Sequence, residues 1–196
     1  MGYEFFSGFP HAGCGKSGRL ARRVRPACTS AGRYNVAVPI AIRDFKPEDF
    51  DELWRIDQEC FAPGISYSRP ELKFYIRRRG AFTLVAEASE DLAAKAAVSA
   101  IAGFIVTQTG RTGHVITIDV LAGARRSGMG SLLLQAVEDR LREAGSKAVG
   151  LETAVDNLAA LAFYKRHGYS VIETMPRYYS NGVDALRMKK DLLPVP

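Results

Sequence analysis

ITIDVLAGARRSGMGSLLL, residues 116–134, passes from β-branched alternation through a glycine-bearing loop directly into a helical pattern. Ile116, Ile118 and Val120 mark a strand. Leu133, Val137, Leu141 and Ala144 continue, with Met129, as one face of a helix over about Gly128 to Ala144, which Gly145 stops. Between the two, Arg125, Gly128 and Gly130 form R-x-x-G-x-G. A loop of this kind at a helix N-terminus leaves several backbone N–H groups unpaired and aimed at one spot. With the helix dipole and two arginines it suits a pyrophosphate, and side-chain-free glycines let a phosphate approach the backbone. Glycines for close packing with arginines in solvent would produce the same letters, so the pattern alone leaves both readings open.

Working outward, Ala148 to Thr153 reads as a further strand, and Asp156 as the cap of a helix that ends at His167-Gly168. Strands near Tyr169 to Thr174 and Asp184 to Asp191 follow. Upstream, Val36 to Ile42 is a first strand, and PEDFDELWRIDQECF (47–61) a helix opened by proline and first-turn acids. Arg69-Pro70 starts a second helix that ends in the run Arg77 to Arg79. Strands are expected over Phe82 to Ala88, about Val98 to Thr107, and His114 to Val120. The order β-α-α-β-β-β-α-β-α-β-β implies an α/β (α+β) fold whose mixed sheet contains a parallel pair.

The chain of 196 residues is one domain plus a remainder, and charge shows where the remainder lies. Residues 1–39 hold six basic residues against Glu4, whereas the other 157 hold 21 basic and 20 acidic ones, so most of the net charge of +6 sits in a leader. We divide the chain into a basic, unstructured extension, 1–37, and a main domain, 38–196. The leader fits a solvated tail, an arm contacting RNA, or an Arg-rich transit peptide, and a true start near Val38 is a further reading. Gly15-Lys16-Ser17 fails as a P-loop because Pro10 stands where glycine is required. Cys14, Cys28 and Cys60 are odd in number and widely spaced, against a disulfide scaffold or a four-cysteine zinc site. No apolar run approaches the roughly 18 residues that span a bilayer. A cytoplasmic protein without membrane partner or metal is expected, with nucleic acid reached only through the arm.

Three segments together resemble the GCN5-related N-acetyltransferase (GNAT) superfamily, and most of all its ribosomal-protein-alanine N-acetyltransferase branch. They are residues 116–134 above, LETAVDNLAALAFYKRHGY (151–169) and RYYSNGVDALRM (177–188), in the family's order and spacing. The resemblance covers about residues 38–192. It implies a mostly antiparallel sheet with a splayed parallel pair, helices on both faces, and acetyl-CoA as co-substrate. Ile118, Asp119 and Val120 would then meet the pantetheine arm, and Arg126, Ser127, Gly128, Met129, Gly130 and Ser131 the pyrophosphate. Arg125 would support that loop, and Asn157 would reach the pantetheine amides. Glu152 falls where the branch carries its general base, and Tyr164 where it carries its general acid. Ala122-Gly123 departs from the acid and proline common in relatives.

Direct acetyl transfer needs a neutral amine and then a proton for the departing thiolate. At pH 7 an α-amine is about 14% neutral and a lysine about 0.04%. An α-amine therefore needs only a modest base such as Glu152. Phe61, Pro63, Ile65 and Tyr67 in one loop, and Tyr178 and Tyr179 in another, resemble the parts that grip a protein N-terminus. A small-molecule amine or a lysine as acceptor, and a ribosome-docking module using the arm, are the competing functions. His114 is read as a strand residue without an evident partner, and Lys165 and Arg166 as a solvated helix face or contacts to the CoA 3′-phosphate.

Overall fold

The computed structural model describes residues 40–61, 65–90, 93–94 and 99–192. The readings of the leader, Cys14 and Cys28 therefore lie outside the described residues, as does Pro63. Within the described part, β1 (Ile40–Asp44) leads through a 3-10 turn at Pro47–Asp49 into α1 (Phe50–Cys60) and α2 (Arg69–Arg77). Then come β2 (Ala81–Ala88), β3 (Ile101–Gln108), β4 (Thr112–Val120), α3 (Met129–Glu143), β5 (Ala148–Ala154), α4 (Leu158–Arg166), β6 (Ser170–Met175) and β7 (Ala185–Asp191). Ser68 caps α2 by accepting from the Glu71 N–H, and Glu71 returns the bond to the Ser68 N–H. For α4 the cap is Asn157, not Asp156: its side chain accepts from the Ala160 N–H at 3.0 Å. Either side chain of the Asp-Asn pair has the chemistry for this, and the turn after β5 turns the second one inward.

One seven-stranded sheet in the order β1-β2-β3-β4-β5-β7-β6 carries the chain, and every pairing in it is antiparallel except β4 with β5. Alternation sends Leu84 and Ile105 to one face, where they pack with Leu133, Val137 and Leu141 of α3 and Leu161 of α4. Val85, Phe104 and Val106 point the other way, onto Leu53 and Ile56 of α1 and Leu72 of α2. β3 lies beneath helices on both sides, and all its residues but the last are buried. Each fully buried Leu or Phe of these clusters contributes about 2–3 kcal/mol.

The parallel pair is short. Thr112 to His114 lie opposite Ala148 to Gly150, after which β4 continues to Val120 and β5 to Ala154 without pairing to each other. A register shift between Val106 and Thr107 leaves Ile116 unmatched on β4. Such a bulge bends its strand and increases its twist, which carries β4 away from β5. The fold is thus the mixed sheet expected, with a gap between two strands at its centre.

Candidate active site

The gap has two edges and a floor. Along β4, the Leu121 N–H donates to Ala102 O of the neighbouring chain segment at 2.9 Å. By alternation, residues 119 and 121 turn their backbone groups toward β3, whereas Ile118 and Val120 turn theirs to the other side, where Val120 O is taken by Arg125 and Cys60. Asp119, expected to offer backbone to a cofactor, is set differently: its amide faces β3 and its side chain is buried. Thr117 Oγ1 donates to its Oδ2 at 3.0 Å, and its Oδ1 has no partner. Burial, with the charge of Asp57 second, holds the Asp119 carboxyl well above the usual carboxylate range.

At the top of the gap the loop turns into α3. Gly128 is the N-cap, with φ at +95°, a left-handed conformation that glycine adopts without cost and that leaves the helix start without a side-chain cap. The N–H groups of Gly130 and Ser131, in the first turn, have no intrahelical acceptor. Met129 is buried and contributes packing, while its N–H lies 3.4 Å from Ser127 Oγ. Ser127 itself donates to Ala124 O at 2.7 Å, and Arg126 is held at φ +65°. Arg125 supports the loop from behind, its Nε donating to Val120 O at 2.9 Å. Ser131 Oγ bonds His167 Nε2 at 2.9 Å, which ties the loop to the end of α4. Burial, then the charge of Arg166, lowers the His167 pKa and keeps that ring neutral. A ring of backbone donors with one conformationally obligatory glycine fits a diphosphate; the side-chain carbonyl of Asn157 is spent on its cap, so only its amide nitrogen remains for a ligand.

Glu152 stands two residues past the last parallel pair, on β5. Arg187 Nε, directly across on β7, donates to its Oε1 at 2.9 Å, and His114 Nε2 on β4 lies 3.2 Å from its Oε2. His114 therefore does have a partner, contrary to the reading of the sequence. Local letters cannot show it, because the contact depends on the β4–β5 register. Arg187 also reaches Glu173 on β6 at 2.5 Å, so the acid is braced from both neighbouring strands. Tyr164 approaches from the opposite face, on α4, packed against Phe163 and Tyr169. Burial, followed by the charges of Asp119 and Tyr179, pushes its phenol up, so it keeps its proton.

Aromatic side chains wall the open face beside Glu152. Tyr67 lies 5.1 Å from Tyr75, a residue the sequence reading missed, and Tyr178 lies 5.2 Å from Tyr179. Burial raises the Tyr178 pKa, with Glu152 as the second cause. The Tyr67 phenol is also raised, by burial and then by Tyr75 and Asp119. Phe61 and Ile65 are half-buried at the two ends of the α1–α2 loop. A groove of about 340 Å³, lined by Thr112, His114, Gly150, Glu152, Arg187 and Lys189 and by none of these rings, opens beside Glu152. Cys60 donates to Val120 O, and burial raises its thiol to about 12, which makes it structural.

Comparison with known proteins agrees with this geometry. The model of the acetyltransferase (GNAT) family matches residues 50–169, more than half of the chain. The chain belongs to this family of N-acetyltransferases. N-alpha-acetyltransferase 30 of Schizosaccharomyces pombe is 37% identical over 75 residues, which are 38% of this chain and 50% of that protein. This chain thus spans about half the length of that relative. An uncharacterised N-acetyltransferase of Methanocaldococcus jannaschii is 30% identical over 151 residues, 76% of this chain and 90% of that one. Among solved structures, Ard1 from Thermoplasma volcanium superposes with a TM-score of 0.69 at 27% identity, covering 79% of this chain and 99% of that one.

Proposed function

We propose that this protein transfers acetyl from acetyl-CoA to the N-terminal α-amine of a polypeptide. The observation that supports the reading is the gap between β4 and β5, with the Glu152–His114 pair beside it and Tyr164 buried on α4, on the opposite face of the sheet. When bound, acetyl-CoA supplies an activated thioester acetyl. The N–H groups of Gly128, Gly130 and Ser131 hold its diphosphate, and the gap-facing backbone of Ile118 with the N–H of Val120 aligns the arm that leads to the thioester. Glu152, with His114 beside it, receives the one proton released as the amine nitrogen bonds to the acetyl carbon. Tyr164 O–H gives its proton to the sulfur as the carbon–sulfur bond breaks. The pair need be only a modest base, which suits an α-amine far better than a lysine.

The aromatic wall of Tyr67, Tyr75 and Tyr178 supports a polypeptide acceptor, since phenols combine apolar contact with bonds to peptide backbone. A ribosomal protein as that polypeptide rests on the order and spacing of the three motifs, and a cytoplasmic place of work on the cysteine pattern. The test is acetylation of peptides that vary in their first residue, beside spermidine and an Nα-blocked lysine peptide. Turnover on free N-termini is expected; turnover confined to spermidine or the blocked peptide overturns the reading. Glu152→Gln should lower kcat by about 10²-fold or more. Tyr164→Phe should slow transfer while the KM for acetyl-CoA stays within about twofold.

A further inference from the structure

Five cations of the main domain take no part in the site above. Arg77, Arg78 and Arg79 close α2, Arg111 sits in the β3–β4 turn, and Lys147 leads into β5. All five are exposed, and none joins an ion pair among the described residues. They converge because three turns are stitched together. Gln108 Nε2 donates to Arg79 O at 2.7 Å, and the Thr109 N–H donates to Gly80 O at 2.8 Å. Ser146 Oγ donates to Gly110 O at 2.7 Å, and the Lys147 N–H donates to Arg111 O at 2.8 Å. Residues 77–81, 108–112 and 144–148 contain no acid. Across β2 to β5 the cations extend over three strand spacings, roughly 14 Å.

This end of the sheet is remote from the diphosphate loop. From Thr112 to Val120, β4 covers roughly 26 Å, so these charges cannot serve that loop. Phe74 stands three residues before Arg77 on the same helix face, 61% exposed although its ring is large and apolar. Four of the five cations are arginines, whose planar fork matches phosphate oxygens. A single exposed ring amid arginines lacks the apolar centre of a protein interface and has the makings of a stacking platform. We propose that this end of the sheet binds single-stranded nucleic acid: Arg78, Arg79, Arg111 and Lys147 contact phosphates, and Phe74 stacks on an unpaired base.

The experiment measures binding of the full chain to a labelled 20-nucleotide RNA, the same sequence as DNA, and its duplex, over a range of salt. Replacing Arg78, Arg79, Arg111 and Lys147 by Gln removes four phosphate contacts. It should reduce the slope of log K against log salt by about 3 and weaken binding at least tenfold at low salt. Phe74→Ala should weaken single-strand binding roughly 5- to 100-fold with the slope unchanged, and the duplex should be unaffected by it. Acetyl-CoA binding measured by calorimetry, at a loop none of these residues touches, should persist in both variants and reports that they fold. The proposal is overturned if the four-Gln variant keeps the wild-type slope and affinity, which would assign binding to another part of the chain. It is equally overturned if the wild type binds none of the three probes, or if poly-glutamate competes as well as RNA does.

Discussion

Asp57 is buried on α1 with its Oδ2 accepting the Tyr67 N–H at 2.8 Å and a Gln58 amide bond at 2.9 Å, while its Oδ1 has no partner. Burial outweighs those bonds and raises its pKa to about 6, with the charge of Glu71 adding to the effect; Asp119 is its raised neighbour. A carboxyl that binds its proton more tightly in the fold than in the unfolded chain loses stability as pH rises. The loss begins above about 4 and is complete above about 6, and at 1.36 kcal/mol per unit it reaches roughly 3 kcal/mol. Asp49 works in the opposite sense, because its bond to Arg43 lowers its pKa, so a single profile of the wild type mixes the two. Asp57→Asn keeps an oxygen for the Tyr67 N–H and removes the titration. Its stability relative to the wild type, followed by denaturant unfolding, should therefore grow from pH 4.5 to pH 7; a constant difference would show that Asp57 is not held protonated by the fold. The places of Glu152 on β5, Tyr164 on α4 and Gly128 at the start of α3 were legible because short motifs set them. Asp57, Tyr75 and the His114–Glu152 contact were not, since each depends on a neighbour tens of residues away.

The helix starts and the strand junctions decide how well the gap is held. At Gly128, φ of +95° has no steric obstacle around a Cβ, so an alanine there is penalised only by its backbone conformation. Gly128→Ala should cost about 1–2 kcal/mol and weaken acetyl-CoA binding measured by calorimetry, because relaxing the strain re-aims the N–H groups of the loop. Gly103 differs, since a Cβ there would lie 2.7 Å from the backbone oxygen of Asp119 and 3.2 Å from Met129 Sδ. Gly103→Ala should destabilise by about 1–3 kcal/mol and disturb the same gap through its edge strand. Asn157→Ala should cost about 1 kcal/mol through the lost α4 cap, whereas Asp156→Ala should leave thermal unfolding nearly unchanged. Element order was readable from periodicity and from glycine and proline punctuation. The choice between Asp156 and Asn157, the 3-10 turn before α1 and the bulge at Ile116 were not, because backbone path rather than composition settles them.

For the molecule as a whole, the two hydrophobic clusters of the described residues lie on the two faces of the one sheet. Long-range ties join distant parts of the described chain: Arg140 bonds Asp44, and the Leu192 N–H donates to Lys147 O at 2.9 Å. No residue of the candidate site lies before Phe61. The division of the chain near residue 38, proposed from charge and composition, has a thermodynamic consequence. A chain beginning at Val38 should unfold in one cooperative transition, with a Tm within a few degrees of the full chain, and bind acetyl-CoA with unchanged affinity. Loss of acetyl-CoA binding on truncation would mean that the first 37 residues complete the site. The same averaging that located the leader concealed the charge of the main domain. A sum close to zero is compatible with five unpaired cations gathered by three turns, and only the fold brings residues 77–79, 111 and 147 together. The truncated chain should accordingly retain the nucleic-acid salt slope that the four-Gln substitution removes, which locates that slope in the sheet's end rather than in the leader.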